Sequence, residues 1–248
     1  MTTTADPSQT GGFAVVVVAA GSGTRLGRGI PKALVDVSGK SILEHSLERI
    51  EASGVTAAHG TWPAGPVVVT VPPGDTELTA VATRHGVRAV EGGATRAASV
   101  RHALEQLRSA GCSPRGVLVH DAARCLTPAA VFHRVAAAVA AGQGAVVPVL
   151  PVVDTIRRVD EEGSSQGTVD RGLLRAVQTP QGFSWDLLLE VNDAAAGERD
   201  ERITDDASLV ELFSEVPVRT VPGDEAALKV TRPMDLLLAE AILATART

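Results

Sequence analysis

The chain has 248 residues, enough for a sizeable core, and its 23 Lys plus Arg against 29 Asp plus Glu give a formal net charge of -6. That balance excludes a general nucleic-acid or anionic-membrane binder, which needs a basic surface; 2% aromatics with no tyrosine also removes the stacking platforms of single-strand binders. Any anionic ligand must be held by a few placed cations, and the three lysines, Lys32, Lys40 and Lys229, stand apart from the arginines as compact point charges.

In chain order, residues 1–12 are polar, lack a basic start and an apolar stretch, and read as a disordered tail ahead of one domain over 13–248. The longest apolar run, 13–20, is too short for a membrane span. Residues 13–18 read as a strand, followed by a Gly-rich loop over 21–29. An amphipathic helix over 41–53 opens with a capping box of Ser41 and Glu44. Strands are expected over 67–71, 87–90, 117–120 and 145–149. They alternate with helices over 77–85, 95–108 and 127–141, the last opened by Thr127 as N-cap and Pro128 in its first turn. This alternation predicts an α/β fold, a mostly parallel twisted sheet with helices on both faces, whose ligands bind beyond the carboxyl ends of the strands.

The rhythm breaks after Pro151. Residues 152–159 and 168–177 flank a polar tip over 160–167, predicting a projecting β-arm over 151–177 that reaches a partner subunit. Helices over 185–191 and 205–213, strands over 218–221 and 228–231, and a last helix over 233–246 complete the reading. Cys112 and Cys125 have no C-x-x-C partner and fit free thiols in a reducing cytoplasm. The six histidines show no metal-ligand spacing, so no protein metal site is expected.

Three phosphate-binding readings compete, and the first concerns the loop Ala19-Ala20-Gly21-Ser22-Gly23-Thr24-Arg25-Leu26-Gly27. A dinucleotide fingerprint needs a third glycine where Leu26 stands and a helix that Pro31 blocks, which weakens a dinucleotide-dependent oxidoreductase. Gly39-Lys40-Ser41 lacks the glycine of a P-loop at position 34, so Lys40 reads as a turn residue and Ser41 as a helix cap. What remains is a loop of backbone N–H groups with Arg25 and then Pro31-Lys32, two cations able to neutralise a triphosphate.

Further motifs are Gly92-Gly93-Ala94-Thr95-Arg96-Ala97-Ala98-Ser99-Val100 and His120-Asp121-Ala122-Ala123-Arg124. Asp154-Thr155 with Arg157 and Val169-Asp170-Arg171 lie on the arm. Gln178-Thr179-Pro180-Gln181-Gly182-Phe183, Thr204-Asp205-Asp206-Ala207-Ser208 and Lys229-Val230-Thr231-Arg232-Pro233 follow. In this order the set resembles the 2-C-methyl-D-erythritol 4-phosphate cytidylyltransferases of the non-mevalonate isoprenoid pathway, over about 14–244. The ribitol-5-phosphate cytidylyltransferases are the near sibling, and a non-catalytic nucleotide sensor is the remaining alternative.

The resemblance implies transfer of a cytidylyl group from CTP to a polyol phosphate with release of pyrophosphate. It implies Arg25, Lys32 and Lys229 as catalytic cations, and Ala20, Gly21, Ser22, Gly23, Gly93, Ser99, Asp121 and Ala122 around the nucleotide. Asp121, Arg124, Thr155, Arg171, Thr179, Thr204 and Lys229 fall to the polyol phosphate, with Thr204 also a candidate helix N-cap. Mg²⁺ would be held mainly by CTP phosphates and water, and the arm's Thr155 and Arg171 would reach a partner's site in a homodimer. Ala94 and Cys125 depart from the family pattern, where an acidic residue and a proline are common.

Overall fold

The structure, a computed structural model, describes residues 12–21, 29–60, 63–198 and 200–245. Its centre is β1 (Phe13–Val18), flanked in parallel by β4 (Val67–Val71) and β6 (Gly116–Asp121), with β5 (Arg88–Glu91) parallel to β4 at the edge. Beyond β6 the sheet becomes mixed. A short strand, β11 (Gln181–Phe183), runs antiparallel between β6 and β7 (Ala145–Pro151). The strand β10 (Arg175–Val177) precedes β11 along the same side of β7, and β12 (Val218–Pro222) lies parallel on the other side.

Alternation along β1 explains why its sequence is an unbroken apolar run: both faces are covered. Phe13, Val15 and Val17 face a cluster built with α1 (Ile42–Ser53), α2 (Thr76–Arg84) and α4 (Ala129–Ala140). Ala14 and Val16 face one built with α3 (Arg96–Ser109), α5 (Trp185–Ala194) and α6 (Asp206–Phe213). With so few aromatics the packing falls to Val, Leu and Ala, and each buried Val or Leu contributes about 1.5–3 kcal/mol. The expected helices on both faces of a mostly parallel sheet are therefore present.

A third apolar cluster seats α7 (Pro233–Thr245) on Val35, Val37 and Ile42, with Cys125 and Leu126 between them. There Lys32–Leu34 forms a 3-10 turn and a two-residue ribbon pairs β2 (Asp36–Val37) with β3 (Lys40–Ser41). Ser41 and Glu44 form the expected capping box, and Gly54 ends α1 in the left-handed region at φ 67. Lys40 follows the turn and pairs with Glu48 at 2.6 Å.

Several sequence expectations need correcting. Helix α4 is entered one residue later than expected: Pro128 is its N-cap, and the Thr127 hydroxyl donates to Arg124 O at 2.8 Å instead of capping the helix. Residues 228–231 form no strand; Val230 N–H donates once, to Ala123 O at 2.8 Å, and Thr231 already turns to meet Asp235. The arm does carry a hairpin, but its paired strands are shorter than the flanks 152–159 and 168–177. Only β8 (Ile156–Val159) and β9 (Ser165–Val169) pair with each other apart from the main sheet, and β10 rejoins that sheet. At the hairpin tip Asp160 accepts from Ser164 N–H at 2.7 Å and Gln166 Nε2 at 2.6 Å. Neither β11 nor the β2–β3 ribbon was anticipated, because two- and three-residue strands are shorter than any periodic signal.

Candidate active site

Three parallel strands end at one cavity of about 550 Å³, lying where ligands bind in open α/β sheets. From the end of β1 come Ala20 and Gly21, from the end of β5 Gly93, and from the end of β6 Asp121 and Ala122. Lys32 enters from the 3-10 turn and Lys229 from the segment before α7. Ser99, on the first turns of α3, completes the set of sequence-predicted residues that line it.

The Gly92-Gly93 pair is required by close approach. A Cβ on Gly92 would sit 2.5 Å from Ala20 Cβ, and one on Gly93 would sit 2.4 Å from Ala98 Cβ. Both glycines thus let the β5 loop lie against the β1 loop and the start of α3. Buried Ser99 holds that loop: its Oγ accepts Gly93 N–H at 3.0 Å and donates to Thr95 O at 2.9 Å, while Thr95 caps α3. Gly93 and Ala94 both line the cavity.

Charge is concentrated at Asp121. Lys229 Nζ lies 2.7 Å from its Oδ2 and Arg96 Nε 3.3 Å from its Oδ1. Burial would push this carboxyl up, but Arg96, Lys229 and Arg124 together hold it well below the usual carboxylate range. Arg96 also reaches Asp206, Nη1 to Oδ2 at 2.5 Å, and Asp206 is fully buried. Burial alone would lower the Arg96 guanidinium, yet its two carboxylates push it above its ordinary value, so it stays charged. Lys229 is placed by its neighbours: Val230 is tied to Ala123, and Asp235 gathers Thr231 N–H, Thr231 Oγ1 and Arg232 N–H, all at 2.8 Å.

Other predicted residues stand elsewhere. Arg124 donates from Nη1 to Ala227 O at 2.7 Å and from Nη2 to Val177 O at 3.0 Å, bracing three segments instead of lining the cavity. Thr179 is buried, accepting Asp121 N–H at 3.0 Å and sharing a hydrogen bond with His120 Nδ1 at 3.1 Å. Thr204 is exposed and is not the N-cap: Asp205 caps α6 in a box with Ser208, and Thr204 N–H donates to Ser208 Oγ at 3.0 Å. Thr155 and Arg171 are exposed on the arm, Arg171 donating to Val153 O. Ser22, Gly23 and Arg25 lie outside the described residues.

Arg96 and Asp206 were missed as site residues, although both stand inside motifs already singled out. An Arg in a first helical turn and an Asp beside a cap have ordinary local explanations, and nothing local shows that they meet. Among the described residues no three His, Cys, Asp or Glu converge on a metal position. Asp121 is the one carboxylate among the described residues lining the cavity, and both its oxygens face cations. This donor set fits Mg²⁺ arriving on phosphates and water, which Mg²⁺ favours, better than a protein cage.

The family model described as "IspD: 2-C-methyl-D-erythritol 4-phosphate cytidylyltransferase" matches residues 13–245. A 2-C-methyl-D-erythritol 4-phosphate cytidylyltransferase of Saccharopolyspora erythraea is 48% identical over 232 residues, covering 92% of this chain and 98% of the relative. One from Frankia casuarinae is 46% identical over 231 residues, covering 93% and 81%. The crystal structure of the Thermus thermophilus enzyme of the same name is 37% identical and covers 92% of this chain and 98% of its own, at a TM-score of 0.72. The chain belongs to the 2-C-methyl-D-erythritol 4-phosphate cytidylyltransferase family.

Proposed function

We propose that the cavity at the ends of β1, β5 and β6 transfers the cytidylyl group of CTP to 2-C-methyl-D-erythritol 4-phosphate. The observation that carries this reading is the convergence of Gly21, Gly93, Asp121, Lys32 and Lys229, from five separate stretches of chain, on one cavity. A phosphate oxygen of the polyol substrate attacks the α-phosphorus of CTP in line. The new P–O bond forms as the bond to the β-phosphate bridge breaks, and pyrophosphate leaves with that electron pair. The product is 4-diphosphocytidyl-2-C-methyl-D-erythritol.

The attacking phosphate is already a nucleophile, so the chain need not supply a strong base. It must bring two polyanions together and neutralise charge at the α-phosphate. Lys32 and Lys229 supply that charge from within the cavity, with Arg25 as the third cation of the reading. Ala20, Gly21, Ser22 and Gly23 present backbone to the phosphates, Gly93 and Ser99 face the base, and Asp121 with Ala122 faces the ribose. Mg²⁺, when bound, neutralises phosphate charge further. Asp121 and Lys229 are the cavity's polar groups nearest the polyol-phosphate side in this reading. Arg124, Thr179 and Thr204 act there through the segments they brace.

Thr155 and Arg171 complete the polyol-phosphate site from the arm of a second copy, giving a homodimer with shared sites. Support comes from the apolar side chains the arm exposes: Val153 at 79%, Leu173 at 84% and Val159 at 58%. No helix of the described residues is long and apolar enough to cross a membrane. Both cysteines are unpaired, which fits a cytoplasmic enzyme. The test is purified protein with CTP, Mg²⁺ and either 2-C-methyl-D-erythritol 4-phosphate or ribitol 5-phosphate, with pyrophosphate measured. Release with the first is expected; release with ribitol 5-phosphate alone would replace the substrate, and none with either would remove the reading.

A further inference from the structure

Arg96 has no role in the reaction as described, yet its guanidinium joins parts of the chain 25 and 110 residues away, at Asp121 and Asp206. Acidic and basic side chains alternate in a row from the interior to the cavity: Asp206, Arg96, Asp121, Lys229. Burial raises the Asp206 carboxyl above its usual value, against the pull of Arg96. Exposure of the side chains rises along most of the row, with Asp206 at 0%, Arg96 at 25%, Asp121 at 11% and Lys229 at 42%. The inner end is an anchor. A fully buried carboxylate is strongly unfavourable unless paired, so Asp206 holds the guanidinium against it. A planar guanidinium can donate to two carboxylates from different nitrogens in fixed geometry, which a lysine ammonium on a flexible stem cannot reproduce.

The outer end is the working part. An anion such as Asp121 facing incoming phosphates is unfavourable unless its charge is held and directed. Arg96 engages Oδ1, which leaves Oδ2 to Lys229. Among the described residues, the half-exposed lysine is thereby paired with Asp121 in one place. Among the described residues, the charged and titratable groups that face Asp121 are Arg96 from α3, Lys229 from the segment before α7, Arg124 after β6 and Asp206 from α6, with His120 beside it on β6.

We infer that Arg96, anchored by Asp206, is a positioning residue for the reaction: it orients the Asp121 carboxylate, which presents Lys229 to the phosphates. This rests on the cavity being the cytidylyl-transfer site.

A double-mutant cycle tests it. kcat and KM for both substrates are measured for Arg96→Gln, Asp121→Asn and the pair, with Asp206→Asn alongside. Arg96→Gln should lower kcat/KM by about 30-fold or more, the loss expected when one partner of a buried charge pair is removed. In the Asp121→Asn background the same change should cost no more than about twofold, because Arg96 acts through Asp121. Asp206→Asn, which keeps the shape of the anchor, should give a smaller loss in the same sense. Losses from Arg96→Gln and Asp121→Asn that multiply independently would overturn the inference. So would a lower unfolding temperature with unchanged kcat per folded molecule, the mark of a residue that only braces the fold. If Arg96→Gln does not fold, Arg96→Lys takes its place in the cycle. The wild-type protein separates the two readings. If it turns over neither polyol phosphate, the functional reading fails, and the same cycle read on CTP affinity by calorimetry still decides the coupling of Arg96 to Asp121.

Discussion

The Thr179 hydroxyl accepts the backbone N–H of Asp121 at 3.0 Å, so the end of the parallel strand β6 is held by the antiparallel segment leading into β11. Thr179 and Asp121 are 58 residues apart in the chain. Thr179, expected at the polyol phosphate, thus also makes a buried bond that fixes the backbone at Asp121.

Replacing Thr179 with valine keeps the shape and removes the hydroxyl. Asp121 N–H and His120 Nδ1 then lose a partner in a buried place, which costs about 1–3 kcal/mol for each group left unpaired. Chemical denaturation of Thr179→Val should show a loss of that order, and Thr179→Ser should recover most of it. Equal stability of valine and threonine would show that the bond contributes nothing.

Lys32→Ala should lower turnover by at least about two orders of magnitude, as for loss of a charge that acts in the transition state. Lys32 sits on a short 3-10 turn at the cavity, so the fold should survive and circular dichroism should be unchanged. Near-wild-type turnover by folded Lys32→Ala would remove the lysine from the catalytic set.

Stability should fall as pH is lowered from about 6.5 to about 4, through His120. Burial pulls its folded pKa down from 6.5 to about 4. The unfolded chain takes up its proton at 6.5 and the folded chain only near 4, so between them acid favours unfolding. A shift of that size is worth roughly 3 kcal/mol. Urea titrations across this window should show the loss in wild type and a shallower slope in His120→Gln. Parallel slopes would mean that His120 does not govern it.

Leu173 stands 84% exposed on the arm, an apolar side chain that the proposed homodimer would cover. Leu173→Asp should shift the protein toward monomer in sedimentation velocity. Arg171→Ala should impair use of the polyol phosphate more than CTP binding. Mixed with Lys32→Ala under exchange, it should recover part of the activity, since heterodimers would hold one intact shared site. Confirmed exchange without recovery would place each site within one chain.

Much of the fold is legible in residues alone. The apolar run of β1 can only be a strand covered on both faces, and Ser41 with Glu44 marks the start of α1 because the capping box is a local interaction between neighbours. Motif order likewise marked Gly93, Ser99, Asp121 and Lys229 for one site, and all four line the cavity.

Tertiary structure decided what each polar group does. Arg124 and Thr179 carry the donors and acceptors of a binding residue, but contacts distant in the chain engage their side chains: Arg124 with the carbonyls of Ala227 and Val177, Thr179 with Asp121 N–H and His120. Arg96 and Asp206 looked like helix-start residues until the fold brought the first turns of α3 and α6 together and their side chains to 2.5 Å. The opening charge count follows the same division. Composition determines that positive charge is scarce and must be local; only the packing of distant segments gives Lys32 and Lys229 a shared cavity and Lys229 a carboxylate partner, because burial and pairing are set by distances across space that no local pattern encodes.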